Sequence, residues 1–269
     1  MKIRSVIRIL KITLLVYLLG GAALYLLQDA VLFHPVALHR DHRYEIPGPH
    51  RDISIPINEK DTLNLIDFPT TETTRRGIVL YFHGNKKNIS WYLKYIPPFT
   101  RNGYEVLMID YPGFGKSTGK LTERKLYDWA LQTYRIAIKR FAADSIIIYG
   151  KSMGTGIAAQ LASVRDCKRL ILETPYYDFP SVVRHYLPIY PVRWLLKYQL
   201  PTHRYLQNVR APVTLFHGTA DLVVTYRNAR RLEQLFKPGD ELITVKGGSH
   251  NNLFEYPEII RKLDSLLQR

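Results

Sequence analysis

The residues Gly150-Lys151-Ser152-Met153-Gly154 follow the apolar run Ser145-Ile146-Ile147-Ile148-Tyr149 and precede the small-residue stretch Thr155-Gly156-Ile157-Ala158-Ala159. A strand, then Gly-x-Ser-x-Gly, then a helix demands a turn too tight for side chains at Gly150 and Gly154. The serine is then held in strained backbone space with its Oγ at the mouth of a site, the arrangement of a nucleophile elbow. The pentapeptide therefore points to an architecture as well as a chemistry. The plainer reading is a glycine-rich loop that merely turns the chain. The rest of the sequence decides between the two.

The pattern after residue 50 is one of strands alternating with helices. Residues 51–57 and 62–66 alternate apolar and polar side chains around the turn-rich Asn58-Glu59-Lys60-Asp61, which predicts an antiparallel hairpin at a sheet edge. Residues 77–82 and 104–109 are continuously apolar, as buried strands are. Residues 91–100 read as helical at first, with Pro97-Pro98 as the stop. A long amphipathic helix is expected over 121–141, capped by Thr122, with Leu126, Trp129, Ala130, Thr133, Tyr134 and Ala137 on one face. The helix after the elbow runs to about Val164. Strands follow at 169–172, 212–216 and 241–245, with helices at 227–236 and from Pro257 onward. This is the α/β class, a mainly parallel central sheet with helices on both faces. Residues 174–208 break the rhythm, because they crowd eight aromatic residues among five prolines. They are too long and apolar for a plain connection and read as one or two short helices forming a lid.

The amino terminus is organised differently. Residues 1–11 hold Lys2, Arg4, Arg8 and Lys11 and no acid, whereas 12–27 carry no charge. Sixteen uncharged residues fall slightly short of the ~20 that a spanning helix wants, but Arg8 and Lys11 can snorkel and Val6 to Leu10 add apolar length. Residues 12–28 are read as a transmembrane anchor, with a signal peptide cleaved after Gly21-Ala22-Ala23 as the alternative. Either reading puts 1–11 in the cytoplasm and a domain over 29–269 across the membrane, on the extracytoplasmic side. A formal charge of +15 suits an anionic lipid surface or nucleic acid. No basic run interleaved with aromatics and no zinc spacing is present, so nucleic acid is not an expected partner. The single cysteine, Cys167, rules out an internal disulfide and is read as inert. The oligomeric state is left open.

The loops at the carboxyl ends of the strands carry the chemistry, and in a parallel sheet they emerge at one edge. They hold His83-Gly84-Asn85, the segment from Asp110 to Ser117, Asp221 within His217-Gly218-Thr219-Ala220-Asp221, and His250 within Gly247-Gly248-Ser249-His250. A serine hydroxyl is a weak nucleophile and needs a base, which in turn needs an orienting acid. Ser152, Asp221 and His250 stand in the chain order of the α/β-hydrolase arrangement. Asp110, Glu173 and Asp178 remain alternative acids or structural carboxylates. His83 and His217 are expected to brace loops. Lys151 is expected to face solvent, or else to favour anionic substrates. No His/Asp/Glu cluster has metal-ligand spacing, so neither metal nor cofactor is expected.

Through these motifs the chain resembles an α/β-hydrolase. It is most similar to the membrane-anchored Bem46-like proteins and the alpha/beta hydrolase domain-containing types 13 and 17, depalmitoylase relatives. The resemblance runs from about Leu32 to the carboxyl terminus. It implies an α/β-hydrolase fold and a serine hydrolase of carboxylic ester or thioester bonds on acyl or lipid-like substrates. Ser152 would be the nucleophile, His250 the base and Asp221 the acid, with the amides of Met153 and Asn85 forming the oxyanion hole. A peptidase of the prolyl-oligopeptidase type shares the triad order, although the chain has no room for the propeller those enzymes carry. A membrane-tethered scaffold that keeps the fold without turnover is the third reading.

Overall fold

Side-chain alternation along the strands builds a core on each face of the sheet. In a computed structural model, which describes residues 3–268, Ile78, Leu80 and Phe82 of strand Gly77–Phe82 point to one face and Val79 and Tyr81 to the other. The elbow strand Ile146–Lys151 divides likewise, Ile146 and Ile148 against Ile147 and Tyr149. Eight such strands form the main sheet: β1 (Arg51–Pro56), β2 (Thr62–Phe68), β3 (Gly77–Phe82), β4 (Tyr104–Ile109), β5 (Ile146–Lys151), β6 (Arg169–Glu173), β7 (Val213–Gly218) and β8 (Glu241–Val245). Their spatial order is β1-β2-β4-β3-β5-β6-β7-β8. β2 pairs antiparallel with β1 and β4, so the expected edge hairpin is present. The other neighbours are parallel, which brings the loops after β3, β5, β6, β7 and β8 out at one edge.

Helices cover both faces. Glu123–Ala137 buries Leu126, Trp129, Ala130, Thr133, Tyr134 and Ala137, the stripe expected from their spacing, and Thr122 caps it by accepting from the Lys125 amide at 3.2 Å. Gly154–Val164 packs beside it on the same core. The opposite face carries Pro97–Thr100 and the final helix Pro257–Gln268, which buries Ile259, Leu263, Leu266 and Leu267. One detail reverses the sequence reading: Pro97-Pro98 begins a helical turn instead of stopping one. Proline at the first helical positions gives up only an amide that has no partner there.

The insertion over 174–208 holds three short helices, not one or two: α4 (Phe179–Tyr186), α5 (Val192–Leu195) and α6 (Thr202–Leu206). Asp178 caps α4 through a reciprocal box with Ser181. Helix α1 runs unbroken over Ile3–Leu32, longer at both ends than the uncharged run. Its most apolar 18-residue window has a mean hydropathy of 2.0 and is 6% buried. An apolar surface left this bare needs lipid or another partner to cover it. The body-proximal half is not free. Tyr17 stacks on Tyr190 of the insert at 4.8 Å, and buried Gln28 bonds Leu195 O at 3.2 Å and the Lys197 amide at 2.7 Å. The chain after α1 then enters the body through Phe33, which is buried against Tyr198.

Candidate active site

The turn after β5 has the strain its composition demands. Ser152 sits at φ +50°, in the left-handed region that a serine rarely adopts. A side chain at Gly150 would meet the Gly154 carbonyl and Ala158, and one at Gly154 would run into the Phe82 backbone. The strained backbone is held by bonds on both sides. The Ser152 amide donates to Glu173 O at 2.9 Å, and Ser152 O accepts from the amide and hydroxyl of Thr155 at 2.9 and 2.7 Å. The serine is 9% exposed, at the edge where the parallel strands end.

Ser152, His250 and Asp221 come from three different loops and meet there. His250 Nε2 lies 2.9 Å from Ser152 Oγ, and Nδ1 lies 2.8 Å from Asp221 Oδ2. Nδ1–H donates to the carboxylate, which leaves Nε2 free to accept the serine proton. The other Asp221 oxygen accepts from the amides of Val223 and Val224 at 2.8 and 2.9 Å. Burial pushes the Asp221 carboxyl up, but the bond and charge of His250 and the Val224 amide outweigh it. The net result is a carboxyl below its ordinary value. His217, four residues before Asp221, is wholly buried, with Nδ1 on Gly218 O at 3.0 Å. Burial lowers its pKa and keeps it neutral. It supports the turn.

The Met153 amide follows the serine, and the loop that carries Asn85 runs beside it. The loop holding Asn85 comes close enough that a side chain on Gly84 would meet Ser152 Cβ at 3.6 Å. Among the described residues neither amide donates to a protein atom, so both remain free for an oxygen in the site. The loop is braced from both sides. His83 spans Gly84 O and Asp110 Oδ1, and Asp110 also accepts from the Ile89 amide and Tyr44. Asn85 reaches the end of α1, its Nδ2 donating to Leu32 O at 2.6 Å and its carbonyl accepting from the His34 amide at 2.9 Å. Asp110 is therefore a structural acceptor. Asp178 is the cap of α4 and pairs with Arg193. Neither carboxylate touches His250.

Lys151 overturns the expectation of an exposed side chain. It is 2% exposed and its ammonium pairs with fully buried Glu173, which also accepts from Tyr149 at 2.6 Å. Nζ further donates to the carbonyl of His250 at 3.3 Å and lies 4.8 Å from the centre of the Tyr95 ring. The cause is register: β5 continues through Lys151, which stands opposite Glu173 on β6. A lysine and a glutamate at the ends of successive buried strands were the available signal. The pair settles Glu173 too, as the partner of Lys151 and not of the imidazole.

A family described as serine aminopeptidase, S33 (Hydrolase_4) matches residues 73–207, half of the chain. The chain belongs to this family of α/β-hydrolases. Among curated relatives, alpha/beta hydrolase domain-containing protein 17C of Xenopus tropicalis is 27% identical over 200 residues, covering 71% of this chain and 62% of the relative. The aho-3 protein of Caenorhabditis elegans is 26% identical over 230 residues, covering 79% and 68%. The chain thus spans about three fifths of the frog relative's length. Among solved structures, the Pyrococcus furiosus esterase Pf2001 superposes with a TM-score of 0.68 at 19% identity, covering 88% of this chain and 98% of the esterase. A monoglyceride lipase variant from Saccharomyces cerevisiae gives 0.64 at 15%, covering 84% and 97%. Likeness at these identities shows the fold. By family this chain is thus an α/β-hydrolase, similar in sequence to protein 17C.

Proposed function

We propose that this hydrolase cleaves carboxylic ester or thioester bonds of acyl substrates at a membrane, through an acyl-serine intermediate. The observation that carries the reading is the continuous relay Ser152–His250–Asp221, with bonds of 2.9 and 2.8 Å on a strained elbow. In the first half, Ser152 Oγ forms a bond to the acyl carbon while its proton passes to His250 Nε2. The amides of Met153 and Asn85 receive the oxyanion. The carbonyl re-forms as the bond to the leaving oxygen or sulfur breaks, and His250 returns the proton to that group. In the second half, water gives its proton to His250 as it attacks the acyl carbon, and His250 passes that proton to Ser152 Oγ as the Oγ–acyl bond breaks, releasing the acid and free Ser152. Asp221 holds the ring and stabilises the imidazolium without taking the proton.

The acyl preference is supported by the surroundings. Tyr186, Leu222 and Val223 are exposed apolar or aromatic groups on the insert and beside Asp221, and Tyr186 bonds the carbonyls of Leu222 and Val223. Helix α1 supports the membrane setting, and its basic end, by the positive-inside rule, supports a cytoplasmic amino terminus. The test is labelling of the full chain with a fluorophosphonate probe together with hydrolysis of p-nitrophenyl esters over a range of acyl lengths. Labelling blocked in Ser152→Ala, with turnover lost, is the expected result. Ester turnover at the parental rate in that variant would defeat the reading, and unlabelled but folded protein would favour a scaffold. The aminopeptidase description of the family is the reason to include an aminoacyl amide substrate. Faster amide than ester turnover would favour a peptidase.

A further inference from the structure

A groove of about 830 Å³ opens between α4 of the insert and the helix Arg227–Glu233, here α7. Four arginines line it, Arg184, Arg193, Arg227 and Arg231, against a single carboxylate, Asp178. That carboxylate is occupied, accepting from the Ser181 amide at 2.8 Å and pairing with Arg193 at 3.1 Å. Arg231 lies over Tyr177, its guanidinium carbon 3.5 Å from the ring centre, a contact that holds the group without cancelling its charge. Arg184 and Arg227 have no ion pair among the described residues. The groove therefore holds an excess of positive charge in planar groups that suit bidentate contact with phosphate.

One end of this groove belongs to the membrane side of the molecule. Its rim is Pro188, Tyr190, Pro191 and Trp194. Tyr190 is the ring stacked on Tyr17, inside the uncharged run of α1, and it also abuts Gly20 and Gly21. Trp194 is 85% exposed and Ile189, next to the rim, is similarly bare. Because the insert covers the body-proximal half of α1, lipid around the free half, residues 3–16, would border on this rim, and tryptophan and tyrosine are the residues expected between acyl chains and headgroups. An apolar edge at lipid and an arginine bed behind it match the two ends of a phospholipid.

We infer that this groove binds the phosphate of a membrane phospholipid headgroup, with the acyl end of that lipid along Pro188, Tyr190 and Trp194. The site is separate from the serine. It is coupled to it in space through Tyr186, the last residue of α4, which bonds the loop that follows Asp221. The inference does not depend on turnover.

The test uses the full chain in a neutral detergent, titrated with three probes: a short-chain phosphatidylglycerol, the matching diacylglycerol without phosphate, and glycerol phosphate without acyl chains. Phosphatidylglycerol should bind at least ~10-fold tighter than either fragment, because charge-assisted bonds and apolar burial each contribute about a decade or more. Arg184→Gln with Arg227→Gln should weaken it by roughly tenfold or more, with unchanged melting temperature, since both side chains lie in an open groove. Lys120→Gln with Lys139→Gln removes the same charge outside the groove and should change binding by less than about twofold. Parental affinity in the arginine pair overturns the inference. So does an equal loss in the lysine pair, which would mean general charge attraction. Glycerol phosphate binding as tightly as the lipid would reassign the groove to a soluble phosphate compound.

Discussion

The carboxyl edge of the sheet and the insert above it are built on opposite principles. At the edge, Ser152, His250 and Asp221 each make two or more hydrogen bonds, on loops that follow parallel strands. The insert has short helices and five prolines; Tyr176, Phe179, Tyr198, Leu200 and Leu206 root its inner side in the core, while Tyr186, Ile189 and Trp194 are exposed on its outer side, which reaches α1 and the loop after Asp221. Bond-forming chemistry tolerates little displacement, so it belongs on the rigid edge. Choice of substrate and of surface tolerates more, and the exposed outer side of the insert can change without disturbing the reaction. The difference predicts that substitutions at the edge act on turnover, and those in the insert on binding.

Ser152→Ala is expected to have the largest effect, a loss of roughly 10⁴-fold or more in kcat with unchanged melting. Asp221→Asn should cost somewhat less, on the order of 10⁴-fold, because the ring would lose its oriented tautomer. The same variant gives a pH test. The folded carboxyl of Asp221 lies below its ordinary value, so the stability it adds is full above about pH 4 and is lost as pH falls through the folded value. The stability gap between parental protein and Asp221→Asn should therefore be open at neutral pH and close in acid, as followed by thermal unfolding across pH.

Lys151→Met sharpens the comparison from within the edge. It leaves Glu173 buried without its cation, which should destabilise the fold by roughly 3–5 kcal/mol. Lys151→Met combined with Glu173→Gln should recover much of that stability. If the bond to the His250 carbonyl positions the base, kcat should stay low in the recovered double variant while KM moves little. Recovery of both would reduce Lys151 to a packing role. Gln28→Leu breaks two insert contacts and is expected to cost about 1–2 kcal/mol, measurable by denaturant unfolding. The smallest effect is expected from Tyr186→Phe, under about 1 kcal/mol in stability with KM shifted more than kcat. A kcat loss equal to that of Lys151→Met would erase the proposed division between edge and insert.

The same division marks what could be read before the structure. The alternation in 51–57 and 62–66, the apolar runs at 77–82 and 104–109 and the stripe from Leu126 to Ala137 are local patterns, and each became the expected element. Gly150 to Gly154 carried its own steric reason, and chain order brought in Asp221 and His250. Lys151 was missed because solvent exposure was inferred from residue type, whereas burial was decided by its register with Glu173. Pro97-Pro98 was read as a stop, although proline opens a helix as readily as it ends one. The contacts of Tyr17 and Gln28 with the insert join residues more than 160 positions apart, and no local pattern encodes them. The packing of α1 as a wall for the insert was invisible for that reason.

The bond from Asn85 to Leu32 has a mechanical consequence. The short parallel pairing of His34-Pro35 with Lys86-Lys87, together with Val36 on Lys87 O, fastens the end of α1 to the strap that carries the Asn85 amide. The apolar helix and that strap are thus joined directly. Under the proposed function, a displacement of the helix reaches two places at once: the insert, through Tyr17 and Gln28, and the position of the Asn85 amide, through Leu32.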